Sequence, residues 1–252
     1  MRNHRIEELT AVLKKLNIHG VTEELKREAI DIVSNINPIE LSIAEQNLID
    51  EGMDPKDLRH LCDIHMEVLK DELTKVKDKV KTGHVVDTMI KEHEKILEFL
   101  KDLEEVNSII QNMKSYDKER KEFKELEILA DNILDAEKHH KREEDVLFLE
   151  MEKREITGPT RIMRMEHDDL RAKKRELKEL VSCLEYIGFE SFKERLDDLS
   201  KYIIFNLRDH IFKENYILYP SAIEAIKEEG LWDEMKIKCD EIGYCSFTPD
   251  IN

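Results

Sequence analysis

Turn-forming residues are scarce in this 252-residue chain, which has seven glycines and five prolines, about 5% where average usage would give roughly 12%. Sheets need frequent turns, so a sheet-rich fold is excluded. Long hydrophobic runs are missing as well. None exceeds four residues, Tyr202-Ile203-Ile204-Phe205 being typical, whereas a membrane-spanning helix needs about 20 and a signal peptide about 7 to 15. Neither membrane insertion nor export by that route is expected. The four cysteines, Cys62, Cys183, Cys239 and Cys245, form no Cys-x-x-Cys pair and are too few for a disulfide framework, which fits a reducing cytoplasm. Basic residues are outnumbered 41 to 58, giving a net charge of −17. Such a field repels nucleic acid and anionic lipid and attracts cations, so neither of the first two is an expected partner.

What is present is charge and aliphatic spacing: 39% charged and 40% hydrophobic positions, with an apolar residue every three or four places. That is the pattern of long amphipathic helices, and the fold expected is all-α. Caps and prolines at Asn37-Pro38 and Asp54-Pro55, and a polar start at Thr22, mark helices near 5–17, 22–35, 38–51 and 55–80. Residues 1–80 thus read as a small helical domain. After Gly83 the segments lengthen to helices near 84–113, 116–155, 159–187 and 189–219, broken at Ser115, Gly158-Pro159 and Gly188, with Pro220 starting the exit. Four such rods joined by short loops predict an up-down-up-down bundle over 84–223. A C-terminal helical tail, 224–252, follows. It has short helical patterns around Ala222–Glu229 and Leu231–Cys239 and an irregular end with Tyr244, Cys245 and Phe247, and is expected to pack on the bundle or a partner.

The second and fourth rods repeat one motif. His139-x3-Glu143-x3-Leu147-Phe148 matches His210-x3-Glu214-x3-Leu218-Tyr219, and the first and third share Glu92-His93-Glu94 against Glu166-His167-Asp168. His167 follows His93 by 74 positions and His210 follows His139 by 71, so the rods form two copies of one helical hairpin. Residues four apart share a helix face, so each His-x3-Glu can grip one ion. Four imidazoles and two carboxylates suit iron, zinc, copper or nickel better than Mg²⁺ or Ca²⁺. Two octahedral ions sharing this set, with two bridging carboxylates and one oxo or hydroxo bridge, keep about one open position each for a small molecule. The ferritin-like pattern of Glu-x-x-His is not followed. His140-x3-Glu144 has the same spacing as His139-x3-Glu143; the alignment with His210 favours His139.

An isolated His followed by His-x3-Glu-Glu-x-x-Leu-Phe, then a second isolated His and a final His-x3-Glu, resembles the hemerythrin-like (HHE cation-binding) family over residues 84–223. The resemblance implies a pair of non-heme iron ions with an oxygen bridge, held by His93, His139, Glu143, His167, His210 and Glu214. Oxygen-carrying members have another histidine one turn after the third-rod histidine, where this chain has Arg171. The arrangement is therefore similar to the family's bacterial proteins linked to nitric oxide stress and to repair of damaged iron centres. Residues 5–73 resemble a domain of unknown function (DUF438-type) found in front of hemerythrin-like domains, notably in Ile43–Gly52 and Leu61–His65. That implies a regulatory attachment, or one for partner binding or self-association.

Other candidates read as structural. His84 is expected at the surface; the His60, Cys62 and His65 cluster as core packing; Cys239 and Cys245 as buried thiols; Ile162, Met163, Met165 and Tyr219 as core. The mixed-sign runs Lys118–Lys124 and Arg171–Lys178 read as solvated helix faces. The expected function is binding or sensing of O2, NO or peroxide rather than turnover. The alternatives are a stress protein that acts on NO or peroxide or donates iron, and a bundle that holds iron or zinc without redox work.

Overall fold

In the computed structural model the described residues are 77–249 and seven isolated positions before them, 7, 8, 10, 11, 14, 15 and 47. Of the helices expected before residue 77 only those isolated positions, all helical, are described; the rest of them, and the His60, Cys62 and His65 cluster, lie outside the described residues. No strand occurs among those described, and the fold is all-α. The helices are α1 (Val85–Gln111), α2 (Lys121–Asp135), α3 (Glu137–Arg142), α4 (Phe148–Glu152), α5 (Gly158–Ser182), α6 (Phe189–Lys213), α7 (Tyr219–Ala225) and α8 (Glu229–Ile242). A π-helical turn joins α3 to α4 at Glu143–Leu147, and another joins α6 to α7 at Glu214–Leu218.

The chain divides into two compact units. One holds Thr82–Val146, Arg164–His210 and Trp232–Asn252, and the other includes Leu147–Met163 and Ile211–Leu231. In the first unit, cross-helix contacts fix the direction of each rod. Glu104 pairs with Arg208, and Gln111 reaches the Lys193 carbonyl, so α1 and α6 are antiparallel. Lys178 meets Asp131 and Arg171 meets Glu137, so α5 runs antiparallel to α2 and α3. Leu100, Leu103, Leu126, Ile133, Leu177, Phe192, Leu196 and Ile203 are buried apolar residues of these rods. Their spacing follows the 3.6-residue period read from the sequence.

The start of α1 is set by His84, whose Nδ1 accepts from the Val86 N–H at 3.2 Å, while Gly83 takes a positive φ just before it. The second rod starts at Lys121, five residues later than the periodicity predicts. Asp117 accepts from the Glu119 N–H, the Asp117 carbonyl accepts from the Arg120 N–H, and Tyr116 packs edge-on against Phe123. This turn competes with helix for the same backbone groups.

The second unit shows two further departures. The rod that begins at Lys121 stops at Glu152 rather than near 155, because Glu155 adopts φ 65° and the N–H groups of Ile156 and Glu155 return to the carbonyls of Met151 and Glu152. That closes the helix with a Schellman turn. Pro220 does not start the exit; it sits in the first turn of α7, where its missing N–H is tolerated, and the helix runs on to Ala225.

The tail forms α8 and then an irregular end past Gly243, which has φ 89°. It packs on the bundle within the first unit. Phe247 meets Phe99 edge-on at 5.1 Å, Trp232 lies 4.5 Å from the half-buried ring of His84, and the Ser246 N–H reaches Asp135. Met165 departs from the sequence reading by being 50% exposed, whereas Ile162, Met163 and Tyr219 are buried.

Candidate metal centre

His93, His139, Glu143, His167, His210 and Glu214 are all buried, at 0–1% exposure. Two histidine pairs form. His93 and His139 face each other with Nε2 atoms 3.0 Å apart and ring centroids at 4.6 Å, and His167 and His210 have centroids at 4.7 Å. Oε2 of Glu143 lies 3.5 Å from Nε2 of His139 and 3.4 Å from Nε2 of His167, so one carboxylate oxygen faces a histidine of each pair. Donor atoms of Glu143, His167 and His210, all in the first unit, lie within 4.8 Å of one another. A second group, His140 with His167 and His210, meets the same limit.

Both π-helical turns begin at the glutamate of a His-x3-Glu step, Glu143 and Glu214, and span equivalent positions of the repeat. Single π turns inserted in α-helices recur at functional sites, where the extra residue re-aims side chains.

Three of the candidate histidines have the Nδ1 atom on a carboxylate. The distances are 2.7 Å from His139 to Glu92, 2.7 Å from His167 to Glu144 and 2.9 Å from His210 to Glu166. A carboxylate there accepts the Nδ1–H, fixes the tautomer, and leaves Nε2 as the basic lone pair that a metal needs. Glu92 and Glu166 stand in equivalent places of the repeat, and each supports a histidine on a different rod rather than its sequence neighbour. Sequence reasoning quoted both residues but gave them no partner, because the pairing exists only across helices.

Glu92 is fully buried, and an isolated carboxylate there would cost several kcal/mol. Burial pushes its pKa up, but hydrogen bonds and charge from His139 and Arg142 outweigh this and hold it at about 2. Arg142, 1% exposed, reaches both Glu92 oxygens at 2.6 Å, and Thr248 donates its hydroxyl to Oε1. The guanidinium also lies over the Tyr244 ring at 4.6 Å and 4.0 Å from the Cys245 sulfur. Burial raises the Cys239 and Cys245 thiols to about 11 and about 12, so both are buried thiols as expected rather than reactive thiolates. For His139 burial acts downward, yet the carboxylates of Glu143 and Glu92 raise its pKa to about 9.

Arg171 binds carboxylates of Glu137, Asp168 and Glu144, so it helps to orient the glutamate behind His167. Lys174 corrects the reading of its run as a solvated face. It is 1% exposed, with Nζ 3.3 Å from Nδ1 of His140 and 3.5 Å from Glu137, and burial lowers its pKa to about 8. His140 is also buried, and its pKa is driven well below the ordinary value by desolvation and by the neighbouring His167 and Lys174.

The donor set is therefore nitrogen-rich, buried and backed by carboxylates, which fits a first-row transition ion and is a poor match for ions that prefer oxygen alone. No helix among the described residues is long and apolar enough to cross a membrane. Comparison with known families finds the hemerythrin HHE cation binding domain over residues 84–222 and a family of unknown function (DUF438) over residues 9–75. No curated protein matches the chain.

Proposed function

Because the chain belongs to the hemerythrin HHE cation-binding family, we propose that it holds two non-heme iron ions joined by an oxo or hydroxo bridge and binds O2, NO or peroxide as a sensor. His93, His139, Glu143, His167, His210 and Glu214 are the residues that would hold them. The observation that carries this reading is the position of Glu143 Oε2, 3.5 Å and 3.4 Å from one nitrogen of each histidine pair. Iron bound there supplies open coordination positions and a change of oxidation state.

The protein's own residues do the rest. Glu92, Glu144 and Glu166 hold the imidazoles in the tautomer that presents Nε2. Leu100, Leu170 and Leu207, all 1% exposed or less, belong to the apolar interior that keeps bulk water away. The link from Glu92 to Thr248 and through Arg142 to Tyr244 gives the tail a direct contact with the histidine support. That contact favours sensing over storage, since a shift at His139 reaches the partly exposed Thr248 of the tail in two steps through Glu92.

The test is optical. Anaerobically reduced, iron-loaded protein should develop oxo-to-iron charge-transfer bands when O2 is admitted and iron–nitrosyl bands when NO is; a spectrum unchanged by either gas would remove the gas-binding reading.

A further inference from the structure

His140 has a support opposite in sign to that of the three carboxylate-backed histidines. Its Nδ1 faces Lys174 Nζ at 3.3 Å, and the nearest carboxylate oxygen, Glu137 Oε2, stands at 3.8 Å, beyond hydrogen-bond range. The other Glu137 oxygen is taken by Arg171. A lysine ammonium only donates. The Nδ1 of His140 must therefore accept, and in the neutral ring the proton sits on Nε2. A nitrogen that carries a proton cannot also give its lone pair to a metal.

The ring is nonetheless placed among donors. It stacks on His167 at 4.0 Å with the planes 8° apart and meets His210 edge-on at 5.6 Å. The repeat makes this feature one-sided. The position equivalent to His140 in the fourth rod is Ile211, and that equivalent to Lys174 in the first rod is Leu100, both buried. One half of the repeat thus carries two buried aliphatic residues at these positions and the other a lysine-backed imidazole. A buried ammonium is costly, which marks the polar half as built for more than packing.

We propose that His140 is a hydrogen-bond donor to a small anion taken up beside His167 and His210, with Lys174 as the positioning residue that fixes its tautomer. The proposal rests on the metal-centre reading and adds to it a contact beyond the metal donors: the His140 N–H toward the acceptor atom of a bound small anion. It also separates His140 from the six metal donors, although its spacing to Glu144 copies theirs.

The experiment uses full-length protein loaded with iron, with azide as the probe, alongside His140→Phe, which keeps a ring against His167 but has no N–H, and Lys174→Met. A hydrogen bond to a charged acceptor is worth about 1.5–3 kcal/mol, so both variants should keep two irons per chain while His140→Phe binds azide roughly 10- to 100-fold more weakly. Nitrogen-15 NMR of the zinc-loaded wild type should show His140 protonated on Nε2, and Lys174→Met should shift the ring toward the Nδ1–H form. Loss of one iron from His140→Phe would make His140 a ligand and overturn the proposal, as would unchanged azide affinity or an Nδ1–H wild-type ring. Should His140→Phe fail to fold, the Lys174→Met protein and the NMR signature decide the matter alone. Wild-type protein that holds zinc with His140 protonated on Nε2 but no iron would refute the di-iron reading and leave the tautomer assignment standing.

Discussion

The Nδ1 of His139 lies 2.7 Å from Oε2 of Glu92, a residue 47 positions earlier on another helix, and both are buried. In the proposed centre this carboxylate would hold the Nδ1–H of His139 and leave Nε2 for a metal. Replacing it with Glu92→Gln keeps the shape but removes the charge that makes Nε2 basic. Iron affinity should fall about 10- to 100-fold at one of the two positions. Competition with a chelator measures it, with one iron per chain lost early and the other retained; uniform retention of both would contradict the role.

Arg142 holds the same carboxylate through both oxygens at 2.6 Å. Arg142→Met leaves Glu92 buried without its cationic partner and should destabilise the fold by about 3–5 kcal/mol. Urea unfolding reads this directly. Adding Glu92→Gln to that variant should recover a substantial part of the loss, because the uncompensated charge is then gone.

Thr248 ties the tail to Glu92 with its hydroxyl, while Ser246 reaches Asp135 through its backbone N–H. Thr248→Val should therefore cost about 1 kcal/mol and speed iron loss to a chelator. Ser246→Ala keeps the backbone contact and loses only the hydroxyl's own bond to Asp135, so it should cost less stability than Thr248→Val and leave iron retention as it is.

Lys174 gives a pH dependence with a definite sign. Its folded pKa is about 8, below the ordinary 10.5, so between those values the unfolded chain binds more protons than the folded one. Wild-type stability relative to Lys174→Met should rise as pH goes from about 8 to about 10.5, and below pH 8 Lys174→Met should be the more stable by on the order of 1–3 kcal/mol. Denaturation of both proteins across that range is the check. A difference independent of pH would mean that the lysine is not desolvated as its burial indicates.

Much of this was legible in the sequence because it is periodic. The offsets that relate His93 to His167 and His139 to His210 define two hairpins, and helical spacing puts each histidine and its glutamate on one face. What the sequence did not carry is pairing across rods. Glu92 and Glu166 stand beside His93 and His167 in the chain, yet they support His139 and His210. Lys174 lies in a run of mixed charges that looks solvated, and only its packing against His140 reveals it as buried. The π-helical turns were equally hidden, since one extra residue in a turn leaves no mark on the hydrophobic period. Pro220 misled for a related reason: after such a turn a new helical first turn begins, and proline is welcome there.

The proposed pair of coupled irons at the two histidine pairs is read by metal analysis and Mössbauer spectroscopy of protein loaded with iron-57 without oxygen and then exposed to air. The expected result is two irons per chain and a single population of coupled ferric ions with a diamagnetic ground state. One iron per chain, or magnetically isolated ferric ions, would contradict it.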